Sequence, residues 1–313
     1  MADNDGQWER AAIERLAGAA LQEQRRARRW GIFFKLLTFA YITVIILMAM
    51  DWGDRRDTKG KHTALVEVNG VIAPGTDASA ERVMAALQAA FKDENTQGVV
   101  VRINSPGGSP VQSNYIYEEM RRLRKKHPAV PLYAVVEDLC ASGGYYVAAG
   151  ADRIYVGRSS IVGSIGVRMD SFGVTGLMDK LGVERRLLTA GDNKGFLDPF
   201  LPVDPAQKAH AQALLEEVHR HFIDAVRDGR GQRLKESPEM FSGLIWTGQK
   251  SVELGLADAL GSLDYVAREV VKAEKVVDYT QKENLAEKFA RRLGAGAANA
   301  LLEFALRGAA QPR

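Results

Sequence analysis

Apolar and polar positions are most unevenly distributed near the N-terminus. Residues 31–50 read GIFFKLLTFAYITVIILMAM, with one charge at Lys35 and none from Leu36 onward. About 20 such residues span a ~30 Å hydrocarbon core as a helix, and Lys35 near one end can extend its ammonium to the headgroups. Trp30 and Trp52 flank the run as interfacial aromatic residues do. A buried core helix would be expected to show a polar face, and a cleaved export signal to be shorter and followed by a small-x-small site. The pattern therefore predicts an uncleaved membrane anchor.

Beyond the anchor, apolar β-branched runs alternate with helical spacing, the pattern of an α/β domain with a mainly parallel sheet. Strands are predicted at residues 64–71, 98–103, 132–136, 153–156 and 183–188. Helices are predicted at 80–91, at 111–126 before Pro128, and from Pro205 to about residue 227. No repeat of 20 to 50 residues is visible. Arg25, Arg26, Arg28 and Arg29 precede the anchor closely, while Arg55, Arg56, Lys59 and Lys61 follow it at greater distance. This bias puts the N-terminus in the cytoplasm and the domain on the extracytoplasmic side.

Composition narrows the class. The 313 residues are 46% hydrophobic and 26% charged with 30 glycines, which excludes collagen-like and wholly disordered chains. A mean hydropathy of −0.18 excludes a multi-span membrane protein. With 42 basic and 39 acidic residues the net charge is +3, so the chain is no polycation for nucleic acid. The single cysteine, Cys140, can form no internal disulfide, and without a CxxC pair no structural zinc site is indicated. No cofactor or metal is expected.

Two glycine clusters carry candidate chemistry. Asn104-Ser105-Pro106-Gly107-Gly108-Ser109 follows the second predicted strand, where glycine lets a turn aim backbone N–H groups at a bound oxygen; a plain strand-to-helix turn is the alternative. Ala141-Ser142-Gly143-Gly144-Tyr145-Tyr146 follows the third strand and opens a helical stretch. There Ser142 reads either as a nucleophile beside N–H donors or as a helix cap. Strands about 35 residues apart in a parallel sheet bring both turns to its carboxyl edge, where such sheets place ligands.

For a base, the five histidines His62, His127, His210, His219 and His221 sit in charged surroundings and read as solvated surface. Lys194 in Gly191-Asp192-Asn193-Lys194-Gly195-Phe196-Leu197-Asp198-Pro199-Phe200 is the other choice. A lysine accepts a proton only when neutral, a form that apolar surroundings favour, although a surface lysine fits equally well. Cys140 reads as a small buried residue beneath the Ser142 turn.

The order of these motifs, one N-terminal membrane segment, NSPGG, ASGGYY, VGSIGV and then a Gly-x-x-Lys, resembles the signal peptide peptidase A family of bacterial serine-lysine peptidases. The resemblance covers residues 63–272 and includes Trp246-Thr247-Gly248 and Leu254-Gly255-Leu256-Ala257-Asp258. It implies Ser142 as nucleophile, Lys194 as general base, Ser164 as the serine that orients the lysine, and the N–H groups of Gly108 and Gly143 as the oxyanion hole. It further implies the crotonase-like α/β superfold shared with the Clp protease proteolytic subunit. A homo-oligomer would join Ser142 of one subunit to Lys194 of the next. Implied substrates are cleaved signal peptides or other membrane-associated peptides at the bacterial inner membrane. Gly195-Phe196 replaces an acidic residue that follows the lysine in some relatives.

The expected organisation is a cytoplasmic segment (1–30), the anchor (31–50), a stalk (51–62), a peptidase domain (63–280) and a C-terminal tail (281–313). In the tail, Leu285, Phe289, Leu293, Leu301, Leu302 and Phe304 among basic residues suggest an amphipathic or a flexible segment. A catalytically silent membrane scaffold and a crotonase-type acyl-CoA enzyme remain the alternative functions.

Overall fold

The structure, a computed structural model, describes residues 5–49 and 58–281. Helix α1 (Asp5–Ala49) runs through the apolar segment, with side chains described from Gln22 to Val44. No helix among the described residues is long and apolar enough to cross a membrane, and residues 45–50 of the predicted anchor lie outside the described side chains. The expected C-terminal tail from residue 282 onward also lies outside the described residues.

Residues 58–281 belong to a separate unit built on one mainly parallel sheet. Its first three strands are β1 (His62–Asn69), β2 (Thr96–Ser105) and β3 (Leu132–Ala141). The crossovers between them are α2 (Ala80–Lys92) and α3 (Pro110–Lys126). After β3 come α4 (Gly143–Ala148), β4 (Arg153–Val156), β5 (Ile161–Gly163), α5 (Thr175–Leu181) and α6 (Pro205–Arg230). The remaining strands and α-helices are β6 (Ile245–Thr247), α7 (Gly248–Glu253), β7 (Ala259–Leu260), α8 (Leu263–Tyr265) and β8 (Val276–Asp278). The path β6-β5-β3-β2-β1-β8 is parallel except for β5 with β6, and β4 joins β3 to β7.

Alternation along the strands explains the layers. Ala64, Val66 and Val68 of β1 and Val99, Val101 and Ile103 of β2 face a large core with α2, α3, α4 and α6. Leu65, Val100 and Val135 point the opposite way, into a smaller cluster with Tyr155 and Val266. The helices start where local chemistry caps them. Ser109 accepts from the Gln112 N–H ahead of Pro110, and Asp204 accepts from the Ala206 N–H at 2.7 Å ahead of Pro205.

Strand β3 extends past the predicted 132–136 because its two halves find different partners. Tyr133 to Val136 pair with β4, and Leu139 to Ala141 with β5. The predicted strand at 183–188 does not form: the segment has no strand partner, and Leu188 is 96% exposed. Its apolar residues mimic a strand pattern that no neighbouring edge supports.

Helix α6 is fastened to the sheet at its C-terminal end. The Arg230 side chain, 1% exposed, donates to Asp258 Oδ2 at 2.7 Å and to the Gly255 carbonyl at 2.9 Å. Asp258 Oδ2 also accepts the Ile154 N–H at 2.7 Å. Burial alone would raise the Asp258 carboxyl, but Arg230, the Ile154 N–H and Arg233 outweigh it and hold the group below the usual range. A depressed carboxylate contributes stability that is present above its unfolded pKa of about 3.9 and is lost as pH falls through the lower folded value. Asp258→Asn should cost about 3–5 kcal/mol near neutral pH, since it leaves Arg230 buried without its counter-charge. In urea titrations at descending pH, the gap between variant and wild type should narrow below about pH 4.

Candidate active site

Strands β2 and β3 end level with each other, Ser105 pairing with Cys140, so the two glycine turns emerge side by side at the carboxyl edge. Gly107 has φ 94°, and a Cβ on it would lie 2.6 Å from the Gly143 nitrogen and 2.8 Å from the Ser142 Cβ. Gly108 has φ 152°, and its Cβ would meet the Ile72 carbonyl oxygen at 2.1 Å. Only glycine fits either position. Ile72, just beyond β1, braces the turn: its N–H donates to Gly107 O at 2.9 Å, and its carbonyl accepts the Ser109 N–H at 2.8 Å.

Ser142 occupies the second turn at φ 51° and ψ −124°, a conformation that costs a non-glycine residue on the order of 1–3 kcal/mol. Its N–H donates to Gly163 O at 2.8 Å, and its carbonyl accepts the Tyr146 N–H at 3.0 Å. The side chain makes no capping hydrogen bond to α4, so the cap alternative fails and the hydroxyl stays available. As the first residue of α4, Gly143 has no carbonyl partner for its N–H within that helix. A Cβ on Gly143 would be 2.4 Å from Ser113 Oγ and 3.2 Å from the Gly108 nitrogen. Two main-chain nitrogens thus lie close together beside Ser142.

Strand β5 leads into Ser164, at φ 52°, whose N–H donates to Leu244 O at 2.7 Å. Ser142, Ser164, Gly108 and Gly143 all line one cleft of about 770 Å³. Its walls include Pro106, Pro110, Tyr146, Val218 and Phe222, and among the described residues Arg168 is its one charged lining residue. Tyr146 stacks on Phe222 at 4.8 Å and donates its hydroxyl to Asn114 Oδ1 at 2.9 Å. Burial, with Tyr117, Glu118 and Asp224 nearby, pushes the Tyr146 phenol up to about 12, so it stays a neutral donor. Beneath the turn Cys140 is buried, as the sequence suggests, and burial pushes its thiol up, away from reactivity.

Lys194 is elsewhere. It is exposed, its N–H donates to Gly191 O at 3.1 Å, and residues 169–217 supply no lining residue to the Ser142 cleft. The apolar surroundings anticipated for it do not form within one chain. Three histidines also depart from the surface reading, one of them His127, which is half-buried with its ring 5.6 Å from that of Phe91. His62 is fully buried, with Nε2 3.0 Å from the Tyr279 hydroxyl and Nδ1 3.0 Å from Gly60 O. His219 is half-buried, with Nε2 3.2 Å from Ile165 O. Tyr146, Val218 and Phe222 entered the site without any role assigned to them from sequence. The four-residue spacing of Val218 and Phe222 on one helix face was the available signal.

Gly108→Ala should push Ile72 away and open the turn, lowering stability by about 1–3 kcal/mol. Thermal melting should register that loss, and labelling of Ser142 by a fluorophosphonate should slow. Unchanged melting and labelling would contradict the close approach.

The peptidase family S49 model matches residues 124–277, a span holding Ser142, Ser164 and Lys194. The Clp protease model matches residues 65–159, consistent with the parallel sheet described above, and the fold is Clp-protease-like. The chain is 48% identical to the Na(+)/H(+) antiporter NhaA of Brucella melitensis over 177 residues, which is 56% of this chain and 24% of that protein. It is 33% identical to "Putative protease slr0021" of Synechocystis sp. over 213 residues, 68% of this chain and 74% of that one. It is 26% identical to "Serine protease SPPA, chloroplastic" of Arabidopsis thaliana, over 68% of this chain and 31% of that protein. The chain therefore spans about a quarter of the Brucella relative and about three quarters of the Synechocystis one.

Proposed function

The chain belongs to peptidase family S49, and on that premise we propose that it is a membrane-anchored serine endopeptidase acting through an acyl-enzyme. The observation that carries the reading is Ser142, held at φ 51° with its hydroxyl uncommitted to the helix, beside the nitrogens of Gly108 and Gly143. Ser142 Oγ attacks the scissile carbonyl carbon while its proton passes to the neutral Lys194 amine. The oxygen that becomes negative is met by the N–H groups of Gly108 and Gly143. The C–N bond then breaks and the lysine returns the proton to the leaving amine. Water next gives a proton to Lys194 as its oxygen attacks the ester, and the acid departs as Ser142 regains its proton. Ser164 hydrogen-bonds the lysine and orients it.

In this reading Lys194 reaches Ser142 from the neighbouring subunit of a homo-oligomer. Supporting this are the exposure of Lys194 and the apolar residues exposed along the same segment, among them Phe172 at 82%, Leu181 at 69% and Leu188 at 96%. A second copy would cover that surface. Residues 31–50 anchor the chain in the bacterial inner membrane, N-terminus cytoplasmic and domain extracytoplasmic, supported by the apolar sequence run between Trp30 and Trp52 with its single charge at Lys35. Substrates are cleaved signal peptides and other membrane-associated peptides, which suit the apolar walls of Pro106, Pro110, Val218 and Phe222.

Hydrolysis of an apolar peptide by the detergent-solubilised full chain should fall at least about 10³-fold in Ser142→Ala and in Lys194→Ala, both still folded. Mixing the two variants should restore part of the activity. Full activity in Lys194→Ala would remove lysine as the base, and no rescue in verified mixed oligomers would place the dyad within one chain.

A further inference from the structure

We propose that His219 is a positioning residue for the active site, holding the Ser164 turn and the root of the segment that carries Lys194; this deepens the serine-lysine reading and rests on it. Ser164 has a backbone conformation that persists only where its surroundings over-determine it. Ahead of it, Gly163 O accepts the Ser142 N–H, and the Trp246 ring sits where a Cβ on Gly163 would be, 2.7 Å away. At Ser164 itself the N–H is tied to Leu244 O. After it, the Ile165 carbonyl accepts no backbone N–H from the described residues, and its partner is His219 Nε2 at 3.2 Å.

A carbonyl only accepts, so Nε2 carries a hydrogen. Both the Nε2–H neutral ring and the imidazolium donate it, and the contact does not depend on the charge of the ring. The same commitment excludes Nε2 as the base for Ser142.

The chain path gives this bond its reach. Immediately after Ile165 the backbone passes Gly166 and Val167 of the cleft wall and leaves on the exposed segment bearing Lys194, returning at Pro205 to start α6. His219 stands on α6 between Val218 and Phe222 of the cleft. One ring therefore ties the chain leaving β5 to the returning helix, fixing the Ser164 hydroxyl and the point from which the Lys194 segment springs.

The test compares full-length wild type, His219→Leu and His219→Gln, whose amide N–H reaches about as far from the backbone as the imidazole. In His219→Leu, kcat should fall roughly ten- to hundredfold with KM within about twofold, and His219→Gln should recover most of it. Amide hydrogen exchange at residues 164–167 should accelerate in the Leu variant alone, with β1 to β3 unchanged. Wild-type kcat and exchange in His219→Leu would overturn the assignment. Equal losses in both variants, or faster exchange throughout the sheet, would also overturn it, since either makes His219 a general structural residue. If wild type cleaves no peptide and Ser142 resists a fluorophosphonate, the peptidase reading falls. The exchange comparison then still decides whether His219 holds the Ser164 turn.

Discussion

No methyl group fits between the two turns at the carboxyl edge of the sheet, and that close approach organises what surrounds it. With Gly107 against Gly143 and Ser142, strands β2 and β3 must be adjacent, parallel and level, as the Ser105 to Cys140 pairing makes them. Ile72 must then follow β1 closely enough to bridge Gly107 and Ser109, which places β1 beside β2 in the same register. Ser113 of α3 fills the space against Gly143, so α3 and the short α4 depart from one point. The alternating apolar residues of the three strands bury a core beneath this edge and give the turns a rigid base.

A second constraint is the division of β3 between two partners. Pairing with β4 ends at Val136 and pairing with β5 begins at Leu139, which brings Gly163 to the Ser142 N–H. Ser142 and Ser164 both hold positive φ, and this hydrogen bond joins their turns directly. Each unfavourable conformation costs on the order of 1–3 kcal/mol, so neither would survive in a free loop. The burial of Val162, Ile165 and Cys140 around them offsets the strain.

Local signals made the cleft legible in the sequence. Glycine clusters following β-branched runs marked the two turns, and Pro205 marked a helix start that the structure has, whereas Pro110, which opens α3, was not read as one. Strands β5 to β8, two or three residues each, were not called, because so few residues carry no periodicity. The segment 183–188 misled because strand propensity says nothing about whether a partner edge exists. His62 and His219 misled for a related reason. Their partners Tyr279 and Ile165 lie 217 and 54 residues away, and only the fold brings them together.

The same distinction separates the cleft from the lysine. Ser142, Ser164, Gly108 and Gly143 are fixed by contacts within one unit, whereas Lys194 rides on a segment whose apolar side chains face water. That segment nevertheless keeps a defined shape. Arg185 pairs with Asp198 at 3.1 Å and lies over the Phe200 ring, and the Leu197 N–H donates to Gln207 Oε1 at 3.1 Å. Such ties are individually weak where water reaches them, and they hold a shape more than they add stability. Apolar surface left in solvent stores about 25 cal/mol per Å² that covering would release. A segment shaped in advance, with apolar area still uncovered, loses little conformational entropy when a partner surface meets it.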